Sequence, residues 1–408
     1  MATIKGLRGI RYNPGKINNY ESIVAPPYDV INGEEQDQLY EKDPYNVIRL
    51  ILAKGEGEER YSSASSTFRE WLESSVLMTE DEPAVYPYYQ EFEFEGENYT
   101  RKGFIAAVKV EDFDQNVVLP HEQTFRKHKE DRLKLTTACN ANLSQVFSVY
   151  SDDGGAVEDL IESNINDPII EVTTEDGVKN TFWKIADPAI IEQISKGLSA
   201  NNLLIADGHH RYETAINFRN QQREKFGEDS GNMPYDYVMM YLSRGGGDGL
   251  IINPTHRAVK NLGIGKDQLL SDLGELFDIE ETDSLDVNSL GFNEMVFIAS
   301  GTDKKYKLRL KNRRDKNYEN LAVMVLHNII FKNHINEDDA GILYTKFDSE
   351  LSSLVESGGY DGGFLLPKLN ADDIFEVVLD NVKMPHKTTY FYPKILSGLV
   401  FNPLWDNA

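Results

Sequence analysis

The chain has a single cysteine, Cys139, in 408 residues. That excludes an internal disulfide framework and any zinc site built from several thiolates, and it fits a reducing compartment. The surrounding stretch, TTACNANL, holds no histidine to activate the thiol, so a small buried thiol is expected rather than a nucleophile. Positive charge is also scarce: 42 Lys and Arg against 67 Asp and Glu leave a formal net charge of −25. Such a surface repels nucleic-acid phosphates and anionic membranes, so neither is an expected partner. No apolar run reaches the roughly 18 residues of a membrane span. The start, MATIKGLRGIRYNPGK, turns polar too early for a signal peptide. The expected location is the cytoplasm.

Familiar catalytic signatures are missing too. There is no G-x-x-x-x-G-K-[ST] loop; GIGKDQ, residues 263–268, has neither the spacing nor the hydroxyl. GEGEER lacks the third glycine of a dinucleotide fingerprint. No G-x-S-x-G elbow and no H-R-D or D-F-G pair occurs, which removes α/β-hydrolases and ordinary protein kinases. HEQTF, residues 121–125, opens like a zincin but places Phe125 where the second histidine belongs.

What remains is ordinary globular material, 40% hydrophobic and 11% aromatic, in a chain long enough for two domains. SSASSTFREWLESSVL predicts a helix burying Phe68, Trp71 and Leu72. Residues 84–111 predict two strands joined by EGEN, with Gly96 at the tip, and EVTTEDGVKNTFWKI a second hairpin turning at Asp176-Gly177. LSQVFSVYSD, NNLLIAD and MPYDYVMMYLS read as strands. ADPAIIEQISKGL reads as a helix started by Asp187-Pro188, and GHHRYETAINFRNQQREKFG as one closed by Gly227. After the RGGGDG break, helices such as KDQLLSDLGELF and NLAVMVLHNIIFKNH alternate with strands such as NEMVFIAS and KYKLRL. Frequent hairpins among helices favour α+β with a mixed sheet over a doubly wound parallel one. The expected division is residues 1–245, with a core at about 84–245, and residues 250–408.

One loop concentrates chemistry. In LLIADGHHRYETAI, residues 203–216, a strand ends at Asp207, Gly208 permits a sharp turn, and a helix follows with Tyr212, Ala215 and Ile216 on its buried face. Such a turn presents backbone N–H groups and a positive dipole end to an anion. His209, His210 and Arg211 add donors there, and Asp207 could hold Mg²⁺ beside a phosphate or act as a base. The plain alternative is an Asp-Gly turn in which Asp207 only caps the helix. Adjacent helical histidines point about 100° apart, so they chelate one metal poorly.

A second cluster, LPHEQTFRKHKEDRLKLTT, gathers Arg126, Lys127, Lys129, Arg132 and Lys134, and opens with His121 and Glu122. A solvated helix face with local ion pairs accounts for most of these charges, while Glu122 is placed to serve as a carboxylate base. IVAPPYDVIN, stiffened by its double proline, presents Tyr28 and Asp29 at a turn, or is simply an ordered loop.

In order along the chain, APPYDVI, PHEQT with KEDRLKL, IADGHHRYETA, INPTHRAV and MPHKTTYFYPKILSGLV resemble the landmarks of a bacterial and archaeal domain-of-unknown-function family, number ten-fifteen. The D-G-H-H-R segment is also similar to the signature of the ParB/sulfiredoxin-like superfamily. That resemblance implies a nucleotide-binding core of strand, glycine turn and helix. Among its branches, sulfiredoxins need a cysteine in the loop and partition proteins a basic DNA-binding module, and neither is visible here. The free-serine kinase branch keeps D-G-H-H-R.

Carried over by motif, the resemblance implies that Asp207, Gly208, His209, His210 and Arg211 bind Mg²⁺ and the phosphates of ATP or ADP, with Lys129 or Arg132 assisting and Asp207 on the metal. The free-serine kinases pair the segment with a glutamate base that no shared motif locates here; Glu122 is the candidate for it, with Asp29 as the alternative, beside catalytic roles for Asp207 and Arg211. Tyr28, Asp29, His121, Lys387, Tyr390 and Lys394 would line the substrate. The implied reaction is phosphoryl transfer to a small alcohol such as free L-serine. A phosphatase of a small phosphomonoester and a nucleotide-binding switch are the alternatives, and a homo-oligomer is left open.

Overall fold

The computed structural model describes residues 1–122, 126–152, 154–227, 231–312, 314, 317–336, 340–380 and 382–405, without the side chains of residues 126–128 and 372. Gln123 to Phe125 of HEQTF, and the side chains of Arg126 and Lys127, therefore lie outside the described residues. The chain forms two compact units, one of Met1–Pro120, Thr124–Leu250 and Pro393–Ala408, the other of His121–Gln123 and Ile251–Tyr392. The C-terminal segment thus returns to the first unit, where Phe401 exchanges backbone hydrogen bonds with Ile10 and Asn402–Pro403 pairs with Ala141–Asn142.

The first unit is built on a mixed ten-stranded sheet. Its strands are β1 (Ile4–Lys5), β2 (Tyr86–Phe94), β3 (Glu97–Arg101), β4 (Gly103–Lys109), β5 (Val118–Pro120), β6 (Val146–Tyr150), β7 (Ile170–Thr173), β8 (Lys179–Phe182), β9 (Leu203–Asp207) and β10 (Tyr237–Arg244). The order is β7-β8-β2-β4-β10-β6-β9-β5, with β1 on β4 and β3 on β2. Residues 84–111 hold three strands, not two, because pairing breaks at Lys102 between β3 and β4, and of these two only β4 continues into the centre of the sheet. The turn from β2 to β3 uses Glu95 and Gly96, both left-handed at φ 52° and 84°, the pattern whose twist matches a hairpin.

The longer helices of this unit, among the described residues, are α1 (Gly33–Lys42), α2 (Glu59–Glu73), α3 (Arg126–Cys139), α4 (Pro188–Leu198) and α5 (His209–Phe226). Helix α2 buries Phe68 and Trp71 and leaves Leu72 half-buried. Asp187 caps α4 by accepting from the Ala189 N–H at 2.8 Å, with Pro188 at the first helical position. The core beneath α4 and α5 is a single apolar cluster including Val108, Val146, Leu203, Ile205, Tyr212 and Met240. Cys139 is buried, and that burial pushes its thiol up to about 12, so it stays protonated and inert.

The second unit carries a six-stranded antiparallel sheet in the order Phe277–Thr282, Lys305–Leu310, Glu294–Ala299, Gly362–Leu365, His256–Val259, Ile342–Thr345. Helix Asp348–Glu356 seals one face through Leu351 and Val355. The NLAVMVLHNIIFKNH stretch is helical but widens into a π segment at Leu326–Phe331. Among the described residues, no helix is long and apolar enough to cross a membrane.

Candidate active site

Strand β9 delivers Asp207 through an irregularity: its register against β6 shifts between Ile205 and Asp207, a bulge of the kind that re-aims a side chain. Gly208 comes next with φ 93°, and α5 begins at His209. A Cβ on Gly208 would lie 2.8 Å from Arg211 Nε and 2.9 Å from its Cζ. The glycine therefore does two things: it supplies a left-handed turn that side chains disfavour, and it leaves the space into which Arg211 folds back. Arg211 donates to Asp207 Oδ2 at 3.1 Å and to the Gln145 carbonyl. Gly208→Ala is accordingly expected to displace this guanidinium. A crystal structure of the variant with Arg211 unmoved would contradict that account.

Helix α5 is anchored by Tyr212, fully buried, whose hydroxyl donates to the Glu111 carbonyl at 2.8 Å and accepts from the Glu111 N–H at 3.0 Å. Ala215 is buried and Ile216 packs on the core, so the helix meets the sheet along one face. His209 is buried and His210 half-buried, the divergence that a 100° step imposes. The first turn of α5 also ends in N–H groups that helix geometry cannot satisfy, at the positive end of the dipole.

Around this turn the first unit assembles two carboxylates and two cations. Lys394 Nζ lies 3.7 Å from Asp207 Oδ2, the same oxygen that accepts from Arg211, and all three side chains are between 11% and 18% exposed. Asp29 is exposed to solvent, while neighbouring protein crowds its carboxyl group. Loss of surrounding water, then the Asp207 charge, raise its carboxyl above the ordinary aspartate range, while Arg211 and Lys394 pull it back. Burial pushes the neighbouring Tyr28 phenol up to about 12, so it stays a neutral hydrogen-bonding group. Arg132 stacks 3.9 Å above the Tyr28 ring.

Lys394 is held by groups that no sequence motif announced. Buried Arg101 donates to Gln90 Oε1 and, at 2.5 Å, to the Pro393 carbonyl; Gln90 donates to the Lys394 carbonyl at 3.1 Å. Gln145 donates to the Leu396 carbonyl at 2.9 Å. The segment bearing Lys394 is thus pinned from several strands and loops, and Gln145 bonds both Arg211 and that segment. The sequence signal was slight: a polar residue inside an apolar strand, as in LSQVF, and the aromatic-rich β2 interrupted by Gln90.

The other cations proposed from the sequence have partners within the protein. Lys129 Nζ pairs with Glu213 Oε2 of α5 at 2.9 Å. Arg132 bonds to Asp131 and donates to the Ile51 carbonyl at 2.7 Å. Tyr28, Arg132, Arg211 and Thr214 line a cavity of about 40 Å³. His121, Glu122, Lys387 and Tyr390 belong to the second unit. There His121 is fully buried with Nε2 2.9 Å from Thr389 Oγ1. Glu122 Oε1 accepts from the Lys387 N–H at 2.9 Å and lies 3.0 Å from His386 Nδ1. Tyr390 meets Lys346 Nζ at 3.3 Å, and Lys387 takes a left-handed conformation, φ 51°.

The family model described as "Protein of unknown function (DUF1015)" matches residues 4–329. No curated protein matches the sequence. Among solved structures, the chain is similar to a conserved hypothetical protein from Pyrococcus furiosus (14% identity, TM-score 0.37, covering 72% of this chain and 92% of that one). It is also similar to a free serine kinase in complex with AMP (13%, 0.37, 71% and 86%) and to SbnI with a C-terminal truncation from Staphylococcus aureus (11%, 0.39, 74% and 87%). Likenesses this remote leave the chemistry to be read from the site itself.

Proposed function

We propose that this chain, which belongs to the DUF1015 family of proteins of unknown function, is a nucleotide-dependent phosphotransferase acting on a small alcohol. The observation that carries the reading is the convergence of Asp207, Arg211 and Lys394 on the glycine-entered N-terminus of α5, with Asp29 within their electrostatic reach. Phosphoryl transfer needs little covalent help from a protein. It needs positioning, neutralisation of charge on the transferred group, and a carboxylate for the acceptor proton.

In this reading the first turn of α5 and the Arg211 guanidinium bind the donor phosphates, and Lys394 stabilises the transferred group. The acceptor hydroxyl gives its proton to a carboxylate as its oxygen bonds to phosphorus, and the phosphorus–oxygen bond to the leaving nucleotide breaks. Asp29 fits the base role best, because it meets solvent, and burial together with the Asp207 charge raises its carboxyl above the ordinary aspartate range, in the direction that favours taking a proton. Glu122, the base favoured by the sequence, is engaged by His386 and Lys387 in the second unit.

Mg²⁺ fits the residues present: Asp29 and Asp207 are carboxylates near enough to repel one another, and this ion takes one or two carboxylates together with substrate phosphates. When bound it would neutralise phosphate charge. The roles of the chain's own groups are unchanged by it.

Phosphorus NMR of the protein with Mg²⁺ and ATP or ADP, with and without L-serine and small polyols, tests the reading. A phosphomonoester signal requiring both nucleotide and acceptor is the expected result. Nucleotide signals unchanged in every mixture would remove it, and phosphate released from phosphoserine without nucleotide would point to hydrolysis instead.

A further inference from the structure

A second cavity in the first unit, of about 340 Å³, shares Lys394 with the phosphate turn at α5. Its volume falls in the range of small-molecule sites, roughly 300–1,000 Å³, and exceeds what a three-carbon alcohol would occupy. Val24, Leu39, Val178 and Leu396 form an apolar wall. Gln90 and Asn180, both 1% exposed, contribute amides to the lining and are hydrogen-bonded to each other at 2.9 Å. Pro26, also in the lining, begins the rigid loop that carries Tyr28 and Asp29.

The charges around this cavity are unequal. Glu21, Glu35, Glu175 and Asp176 face two lysines, Lys42 and Lys394. Lys42 is paired with Glu175 at 2.7 Å, and Lys394 leans towards Asp207 at 3.7 Å. A ligand carboxylate would meet mostly like charge, whereas an ammonium would meet opposite charge from Glu21, Glu35 and Asp176 at the rim. The Gln90 and Asn180 amides are held by Arg101, Tyr88 and backbone carbonyls, and the apolar wall suits the carbon face of a ring rather than a naked chain.

From the cavity's size, its acidic rim and its shared Lys394, we propose that it takes a hydroxylated primary amine without a carboxylate, of about amino-sugar size. Its assignment as the phosphoryl acceptor site rests on the phosphotransfer reading; its preference for an amine does not. The acceptor is then held by its ammonium at the rim with a hydroxyl directed towards Lys394. The hydroxyl loses its proton to Asp29 as its oxygen takes the phosphoryl group from the nucleotide.

Calorimetry of the full chain with D-glucosamine, N-acetyl-D-glucosamine and L-serine at slightly acid pH tests the binding claim, and the same mixtures with ATP and Mg²⁺ in phosphorus NMR test the transfer. Glucosamine is expected to bind about tenfold or more tightly than its uncharged acetyl counterpart. Glu21→Gln with Asp176→Asn should reduce that preference by about the same factor, leaving the acetyl sugar unaffected. Equal binding of the two sugars, tighter binding of L-serine, or a preference that survives the double substitution would overturn the proposal. If serine is phosphorylated while glucosamine is neither bound nor modified, phosphotransfer stands and the amine assignment falls. If glucosamine binds with the stated preference but no acceptor is ever phosphorylated, the amine site stands and phosphotransfer falls.

Discussion

Asp207→Asn and Arg211→Ala are each expected to lower phosphoryl transfer by about a thousandfold or more, equivalent to roughly 4 kcal/mol of transition-state stabilisation. The effect is large because both groups act where charge develops, at the start of a helix whose dipole already favours an anion. The fold should survive. Arg211, Asp207 and Lys394 are each 11% to 18% exposed, so an uncompensated charge left by either substitution can still be partly hydrated, unlike one in a dry interior. Melting temperatures within a few degrees of the parent are expected, because a loss of about 1 kcal/mol moves a domain of this size by roughly 2–4 °C. Calorimetric melts together with initial rates check this. Full activity in either variant, with the melt intact, would sink the assignment of the site.

Asp29→Asn is expected to remove transfer while slightly raising stability at neutral pH. Burial and the Asp207 charge raise the folded-state pKa of Asp29, so the native protein holds this proton more tightly than the unfolded chain does. The contribution of the group to stability is therefore greatest below the ordinary aspartate pKa and declines as pH rises through the raised one. Removing the charge relieves that penalty, and solvent contact at Asp29 keeps the gain small. For activity the sign is opposite. A base must be deprotonated, so the rate in the parent protein should fall as pH drops through a value above the ordinary aspartate range. A pH–rate profile whose acid limb is the same in Asp29→Asn as in the parent would show that another group takes the proton, with Glu122 the next to test.

Much of the first unit was legible because local signals agreed. Asp187-Pro188 starts a helix whatever surrounds it, the Glu95-Gly96 and Asp176-Gly177 turns set their hairpins, and the DGHHR turn between an apolar strand and a periodic helix could hardly fold otherwise. The third strand in residues 84–111 has no sequence signal of its own, because the break at Lys102 is a single residue without turn chemistry. The π segment in the second unit was hidden for a related reason: it preserves an apolar face and differs from an α-helix only in its hydrogen bonding.

For the site, the sequence by itself determined which groups are present at the phosphate turn and why. Gly208 is demanded by backbone conformation and by the folded-back Arg211, and both demands are met within a few consecutive residues. Only the tertiary structure decided which distant groups join them. Asp29 and Lys394 are far from Asp207 in sequence, and nothing local in PPYD or YPKI states where each will lie. Lys394 reaches Asp207 because Arg101, Gln90 and Gln145 capture the backbone of residues 393–396, while Lys129 pairs with Glu213 and Arg132 with Asp131. Short-range geometry is written in neighbouring residues, whereas the choice among possible partners for a long, charged side chain is made by whichever carbonyl or carboxylate the packed fold brings nearest.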